Sequence, residues 1–104
     1  MLGLGRWKFF VDTMFYRGDA FITVADKNGK YDVTLDLPGM NNMPKVEVVN
    51  MQAEGSSLNG VAHTDMLKGK DIPFSITFDG DRASGMLKAP FIGRIRLNNG
   101  MKVG

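Results

Sequence analysis

Few residues of this chain are suited to chemistry, and His63 is the only histidine. It alternates onto the same side of a predicted strand as Asp65, two positions later. Such a pair could share a proton or help to hold a metal, but one imidazole and one carboxylate make a poor centre without further ligands. A solvated pair on the outer face is the simpler interpretation. We therefore predict no catalytic residue, no metal site and no cofactor, and we favour a function other than catalysis.

The composition and the absence of known motifs exclude several classes of function. The sequence contains no Walker loop, nucleophile elbow or dinucleotide fingerprint. It also contains no cysteine, which excludes disulfides, thiolate metal sites and cysteine nucleophiles and fits a reducing compartment. No segment approaches the roughly 20 apolar residues of a membrane helix. We therefore expect a cytoplasmic protein without a membrane partner.

A period-two pattern of apolar residues predicts the elements that position these side chains. In 30–37 every odd residue is apolar and every even one polar, and 72–79 repeats the pattern. This alternation is typical of strands with one buried and one solvated face. Turn signals separate the strands, led by Asn28-Gly29, which favours a type I′ hairpin. We predict one domain over 1–104, with strands at 6–16, 20–25, 30–37, 45–52, 58–66, 72–79, 82–88 and 91–97, then a turn at 98–100 and a short strand at 101–103.

So many short antiparallel strands must close into a barrel or stack as a sandwich, because an open sheet leaves two unpaired edges. Sequential hairpins favour an all-β, up-and-down barrel of about eight strands, with a β-sandwich as the alternative. The predicted inner face carries several small residues: Gly60, Ala62, Ala83, Gly85 and Gly93. These residues either leave a cavity or mark bends in a barrel filled by side chains, and the sequence leaves both open.

The segment Gly5-Arg6-Trp7, at the entry of the first strand and followed by a β-meander, resembles the start of a calycin. This superfamily includes the lipocalins and the fatty-acid-binding proteins. The resemblance implies an up-and-down barrel that holds an apolar ligand. It also implies that Trp7 packs across the closed end as a structural residue, with an arginine from the last strand, Arg94 or Arg96, over its ring.

These patterns together predict non-catalytic binding of a small, largely apolar molecule inside the barrel. The predicted lining consists of aromatic residues, two loop methionines and one threonine: Tyr31, Met40, Met43, Thr64, Phe74, Phe78 and Phe91. The alternative is a structural or protein-interaction module with a filled barrel. A third possibility is an isomerase or cyclase, for which the predicted inner face offers only the polar groups of Tyr31 and Thr64.

The first two predicted strands are apolar on both sides. Phe10, Met14 and Tyr16 lie opposite the face that carries Trp7, and Phe21 lies opposite the inner face of the second strand. A contiguous exposed apolar patch commonly marks an interface. We therefore predict a homo-oligomer, most simply a two-fold dimer, that forms through strands one and two.

Four basic residues are a candidate site for binding nucleic acid. Arg94 and Arg96 would lie near Arg6 and Lys8 if strand eight closes against strand one, and four clustered cations could bind a phosphate backbone. The net charge is only +2, and aspartates occur on the neighbouring strands. We therefore do not expect a nucleic-acid partner.

Overall fold

The computed structural model of the chain describes residues 1–14, 16–40, 45–65 and 68–104, and the alternating segments form strands in all of these ranges. The eight strands are β1 (Gly5–Asp12), β2 (Arg17–Lys27), β3 (Lys30–Asp36), β4 (Val46–Glu54), β5 (Ser57–Thr64), β6 (Ile72–Asp79), β7 (Arg82–Ala89) and β8 (Gly93–Lys102). The all-β prediction is confirmed. In the described part of the chain, no helix has the length and apolarity needed to cross a bilayer.

The strands form one antiparallel sheet in the order β3-β2-β1-β8-β7-β6-β5-β4. Strands adjacent in the sequence pair as hairpins, and β1 pairs with β8 to join the two halves of the sheet. The two edge strands, β3 and β4, approach each other without pairing in the described residues. The sheet therefore curls into a nearly closed up-and-down barrel, which confirms the predicted barrel over the sandwich.

Alternation places the core as the sequence predicts. On β1 the buried residues are Trp7, Phe9 and Val11, and on β2 they are Ala20, Ile22 and Val24. Leu58, Ile76, Phe78, Ala83 and Leu97 complete the buried cluster from the other half of the sheet. Full burial of a large apolar side chain contributes roughly 1.5–3 kcal/mol, so these inward faces provide much of the folding free energy.

The first strand is shorter than predicted. It ends at Asp12 rather than at residue 16, and β2 begins at Arg17 rather than at residue 20. The Thr13 hydroxyl donates to the Tyr16 carbonyl at 3.0 Å and accepts from the Tyr16 N–H at 2.9 Å. These two bonds close a turn, which leaves Met14 almost fully exposed beyond the end of the strand.

The last strand is longer than predicted. The turn expected at 98–100 is absent, and β8 runs from Gly93 to Lys102. Its pairing shifts register against β1 between Lys8 and Phe10, and Asn99 has a φ of 52°. A bulge with a left-handed residue absorbs the extra length, and asparagine tolerates this conformation better than most residues.

The start of this strand also corrects a prediction. The sequence predicts that strand eight begins at residue 91 with the ring inside the barrel, but Phe91 lies in the turn between β7 and β8 with a φ of 69° and is 81% exposed. The prediction was wrong because the turn reaches as far as Gly93 and directs the ring to solvent.

The hairpin between β2 and β3 allows a direct test of turn chemistry. Asn28 and Gly29 have φ values of 54° and 82°, and the Gly29 N–H donates to the Asp26 carboxylate at 2.8 Å. Gly29→Ala places a Cβ on a left-handed residue and should lower the free energy of unfolding by about 1 kcal/mol. Urea denaturation measures this, with Asn28→Gly as the control that should have little effect. Equal stability of Gly29→Ala and the parent would contradict the turn assignment.

Candidate functional site

An apolar cavity of about 220 Å³ lies inside the barrel. It lies toward the end where the β1–β2, β3–β4, β5–β6 and β7–β8 connections occur, which we call the loop end. Each of the eight strands contributes to its wall, with Val11, Ala20, Leu35, Val46, Ala62, Ile72, Leu87 and Leu97 in chain order. This composition follows from the alternation, because the inner face of every strand is apolar.

A smaller space of about 80 Å³ lies deeper in the barrel, and the described residues that line it are all apolar. Phe74 and Ile76 line it but not the larger cavity. The two spaces share six wall residues: Leu35, Val46, Ala62, Ile72, Leu87 and Leu97. They are therefore adjacent parts of one apolar interior, and a ligand longer than the first part could extend into the second.

The opposite end of the barrel is packed, and we call it the tryptophan end. The Trp7 indole N–H donates to the Gly3 carbonyl at 2.8 Å, and the ring lies 4.8 Å from that of Phe78 at an angle of 54°. The Leu2 N–H donates to the Tyr31 hydroxyl at 2.9 Å. Gly3 lies so close to the Phe78 ring that a Cβ would overlap it. These contacts fix the N-terminal segment across this end.

The arginine expected over the Trp7 ring is not there. Arg94 and Arg96 are exposed, and Arg94 lies opposite Lys88 in the register of β7 and β8, close to the loop end. The cross-strand neighbour of Trp7 on β8 is Lys102. The expectation was wrong because β8 continues past residue 97, so its arginines lie nearer the other end of the barrel.

Three of the predicted lining residues lie around the cavity. Met40 and Thr64 line the larger part, and Phe74 lines the smaller part. Tyr31 and Phe78 belong instead to the packed tryptophan end. Whether any of these residues contacts a ligand stays a prediction.

The remaining two predicted lining residues do not add to the described cavity. Phe91 is exposed beside Lys70, whose ammonium lies 5.0 Å from the ring centroid, and Met43 lies outside the described residues. Tyr16, which the sequence predicts on the outer face of the first strand, lines the loop end of the cavity instead, and Ile92 lines it as well. Neither residue belongs to a strand, so no alternation could have identified it.

Among the described residues that line the cavity, Thr13, Tyr16 and Thr64 carry hydroxyls, but almost none of their polar surface faces the cavity. The Thr13 hydroxyl closes the turn to Tyr16, and the Tyr16 hydroxyl donates to the Asp19 carbonyl at 2.6 Å. Thr64 Oγ1 is buried and has no hydrogen-bond partner within the described ranges. A buried polar atom without a partner is unusual and calls for an explanation.

Gly60 and Gly85 do not create this space. A Cβ on Gly60 would lie 2.9 Å from the Phe74 ring and would also meet Met51. One on Gly85 would lie 2.9 Å from the Ser75 carbonyl oxygen and 3.0 Å from Leu97. Neighbouring atoms therefore already fill the volume that the missing side chains leave. The small residues that line the cavity are alanines: Ala20, Ala62 and Ala89.

The expected pair of His63 with Asp65 is replaced by another. His63 Nε2 lies 2.6 Å from the carboxylate of Asp71, which belongs to the β5–β6 connection. The cleft on this outer face is also lined by Lys45 and Glu47. Among the described residues, no three histidine or carboxylate side chains are grouped so that they could hold a metal.

The cluster of four cations that the sequence analysis considered does not form. Arg6 lies 3.6 Å from Asp36 and Lys8 lies 3.7 Å from Asp19, so carboxylates neighbour both cations. Exposed ion pairs of this kind contribute little stability, but they reduce the local positive charge. Strand β8 meets β1 through residues 98–102, which keeps its two arginines away from Arg6 and Lys8.

Guanidinium groups cover part of the outer apolar face of β1 and β2. Arg6 lies over the Phe21 ring at 4.4 Å, and Arg17 lies 6.0 Å from the Phe10 ring centroid. Both rings are half-buried rather than fully exposed. The predicted oligomer through this face stays a prediction.

Comparison with known proteins adds no relative to this description. No protein-family model matches the chain, and neither does any curated protein or any solved structure. What can be said of function therefore rests on the barrel itself, which is packed at the tryptophan end and holds an apolar cavity toward the loop end.

Proposed function

We propose that this barrel binds a small, largely apolar molecule in its cavity and does not transform it. The observation that carries the proposal is the cavity of about 220 Å³, whose wall, as formed by the described residues, is almost entirely apolar. Apolar cavities of about 150 Å³ in protein cores stay dry and bind benzene. A ligand of one or two rings matches the larger volume, and its burial is favoured by roughly 25 cal/mol per Å² of apolar surface.

The absence of catalysis in this proposal follows from the chemistry of the wall. A general acid or base needs a group whose pKa lies near the working pH, and such groups are most often histidine or carboxylate. Among the described residues, the wall of the larger cavity carries neither, and the wall of the smaller part is entirely apolar.

We further propose that the protein is calycin-like. The support is an eight-stranded up-and-down barrel with Gly5-Arg6-Trp7 at the entry of its first strand and Trp7 packed at one end. An interaction module that associates through β1 and β2 is the weaker candidate. Arg6 and Arg17 lie over the Phe21 and Phe10 rings, so the apolar surface available to a partner is reduced.

Native mass spectrometry of the purified protein, followed by denaturation, would show whether an apolar compound is bound and would also report the oligomeric state. Titration with toluene and naphthalene would then test binding directly. We expect amide NMR shifts confined to cavity residues such as Ala62 and Leu87, and an increase in Tm of about 5–10 °C at tenfold excess over Kd. If the folded protein binds neither probe up to the solubility limit, the proposal is wrong.

A further inference from the structure

We infer that the β7–β8 hairpin docks the protein on an anionic membrane surface, with the Phe91 ring inserted among the lipid headgroups and Lys88 and Arg94 next to their phosphates. This hairpin, residues 88–94, lies at the loop end of the barrel. The inference concerns the outer surface and does not depend on ligand binding in the cavity. Three features support it: exposed apolar side chains at the tip, a backbone conformation that turns the ring outward, and cations behind the tip.

The tip of the hairpin is apolar and exposed. Phe91 is 81% exposed and Ile92 is 38% exposed. Met14, in the β1–β2 connection, is almost fully exposed as well. The two connections lie on the same rim of the barrel, because Thr13 and Ile92 line one cavity and β1 pairs with β8. Large apolar residues that are exposed together at one end of a protein commonly mark an interaction site.

The backbone of the turn directs the Phe91 ring outward. The Ile92 N–H donates to the Ala89 carbonyl at 3.4 Å, which closes a turn with Pro90 second and Phe91 third. Phe91 has a φ of 69°. A third turn residue with positive φ is usually glycine, because a Cβ is strained in this conformation. Phenylalanine here strains the turn and adds nothing to the core, which points to a role at the surface.

Cations surround this apolar tip. Lys88 and Arg94 are exposed and lie opposite each other in the register of β7 and β8. The Lys70 ammonium lies 5.0 Å from the Phe91 ring centroid. Within the described ranges, no carboxylate oxygen lies within 4 Å of any of these three cations. Like charges opposite each other in a sheet destabilise it, and a bound anion would remove this repulsion.

A bilayer that contains anionic lipids matches this arrangement. Apolar side chains enter the boundary between headgroups and acyl chains, while the long side chains of lysine and arginine reach the phosphates. Single-stranded nucleic acid fits less well, because bases stack on open aromatic faces. Lys70 lies over one face of the Phe91 ring, and the neighbouring apolar residue, Ile92, has no ring to stack on. The expectation of no membrane partner considered only membrane-spanning helices, which docking at the surface does not need.

The β2–β3 hairpin at the opposite end of the barrel provides a matched control. Lys27 and Lys30 are exposed and lie opposite each other, as Lys88 and Arg94 do. The tip between them is Asn28-Gly29, which is polar. The two hairpins therefore present the same number of cations, but only the β7–β8 hairpin has apolar side chains to insert.

The test is flotation with vesicles of phosphatidylcholine that contain about 30% phosphatidylserine, in about 0.1 M salt, with pure phosphatidylcholine as the neutral surface. We expect the parent to bind the anionic vesicles at least about 10-fold more strongly than the neutral ones. Phe91→Gly should weaken this binding by about 10-fold. Its Tm should be equal to or above that of the parent, because glycine adopts positive φ without strain.

Two double variants, which lower the net charge equally, test the cations. Lys88→Gln with Arg94→Gln should weaken binding to the anionic vesicles by about 10- to 30-fold. Lys27→Gln with Lys30→Gln should weaken it by less than about 3-fold, because these cations lie at the far end of the barrel.

A fluorescent label distinguishes insertion from adsorption. The chain contains no cysteine, so Phe91→Cys and Asn28→Cys can each be labelled at one site with the polarity-sensitive dye NBD. The emission of the dye at position 91 should rise when anionic vesicles are added, and its emission at position 28 should not. An unchanged signal at position 91 on bound vesicles would exclude insertion.

The remaining outcomes are equally decisive. If the folded parent floats with neither kind of vesicle, or if both double variants weaken binding equally, docking by this hairpin is wrong. It is also wrong if the parent binds a thymidine oligonucleotide but no vesicle, because the cations would then belong to a nucleic-acid site. None of these results bears on the cavity, which the titrations with toluene and naphthalene test separately.

Discussion

Trp7→Ala should lower the free energy of unfolding by about 3–5 kcal/mol, the usual loss when a large buried aromatic is truncated. Trp7 is 3% exposed, packs against Phe78 and donates its indole N–H to the Gly3 carbonyl. The free energy of unfolding of a native protein is about 5–15 kcal/mol in total, so the variant would lose a large share of its stability. Urea denaturation followed by far-UV circular dichroism measures the loss, because the chain has no other tryptophan to report by fluorescence.

Phe91→Ala is the matched control, since it truncates an aromatic residue that is 81% exposed. Its effect should stay within about 0.5 kcal/mol. The loss in the free energy of unfolding for Trp7→Phe should lie between these two values, because the variant keeps an aromatic ring against Phe78 and loses the hydrogen bond to Gly3. Comparable losses for Trp7→Ala and Phe91→Ala would contradict both the packed tryptophan end and the outward position of Phe91.

Ala62→Leu should weaken the binding of toluene or naphthalene by at least about 30-fold while the protein remains folded. Ala62 lines both parts of the cavity, so a larger side chain there occupies the space of the ligand. Filling a cavity commonly leaves stability unchanged or raises it by about 0.5–2 kcal/mol. Isothermal titration calorimetry gives the affinity, and thermal unfolding gives the stability.

Ala53→Leu provides the control for this experiment, because Ala53 is an exposed residue of β4 and the substitution is the same. It should leave probe binding unchanged. If leucine overpacks the interior at position 62, Ala62→Val adds less volume and should still reduce affinity. Undiminished binding by a folded Ala62→Leu protein would place the ligand elsewhere.

Much of the fold can be predicted from local pattern. The alternation in 30–37 and 72–79 places the two strands and their inner faces correctly, because each side chain in a strand points to the side opposite its neighbour. Asn28-Gly29 predicts its hairpin because few residues adopt positive φ without strain. Both signals depend on residues close together in the chain.

The errors arise where distant strands decide the structure. Asn98-Asn99-Gly100 has the composition of a turn and equally that of a bulge. Gly100 pairs with Ala83 on β7 and Asn98 pairs with Phe10 on β1, and this pairing on both sides keeps the segment in the strand. The inward position predicted for Phe91 is wrong for a related reason, since the length of the β7–β8 turn depends on how β7 and β8 pair.

The sequence by itself determined that the chain is all-β and which faces of most of its strands are apolar, because these properties follow from backbone alternation and turn chemistry within short segments. Only the tertiary structure decided where the interior is filled and where it is hollow. Gly60 and Gly85 are covered by Met51, Phe74 and Leu97, whereas the space beside Ala62 stays open. Packing across a barrel joins residues from strands far apart in the chain, and period-two alternation carries no information about which side chains meet there.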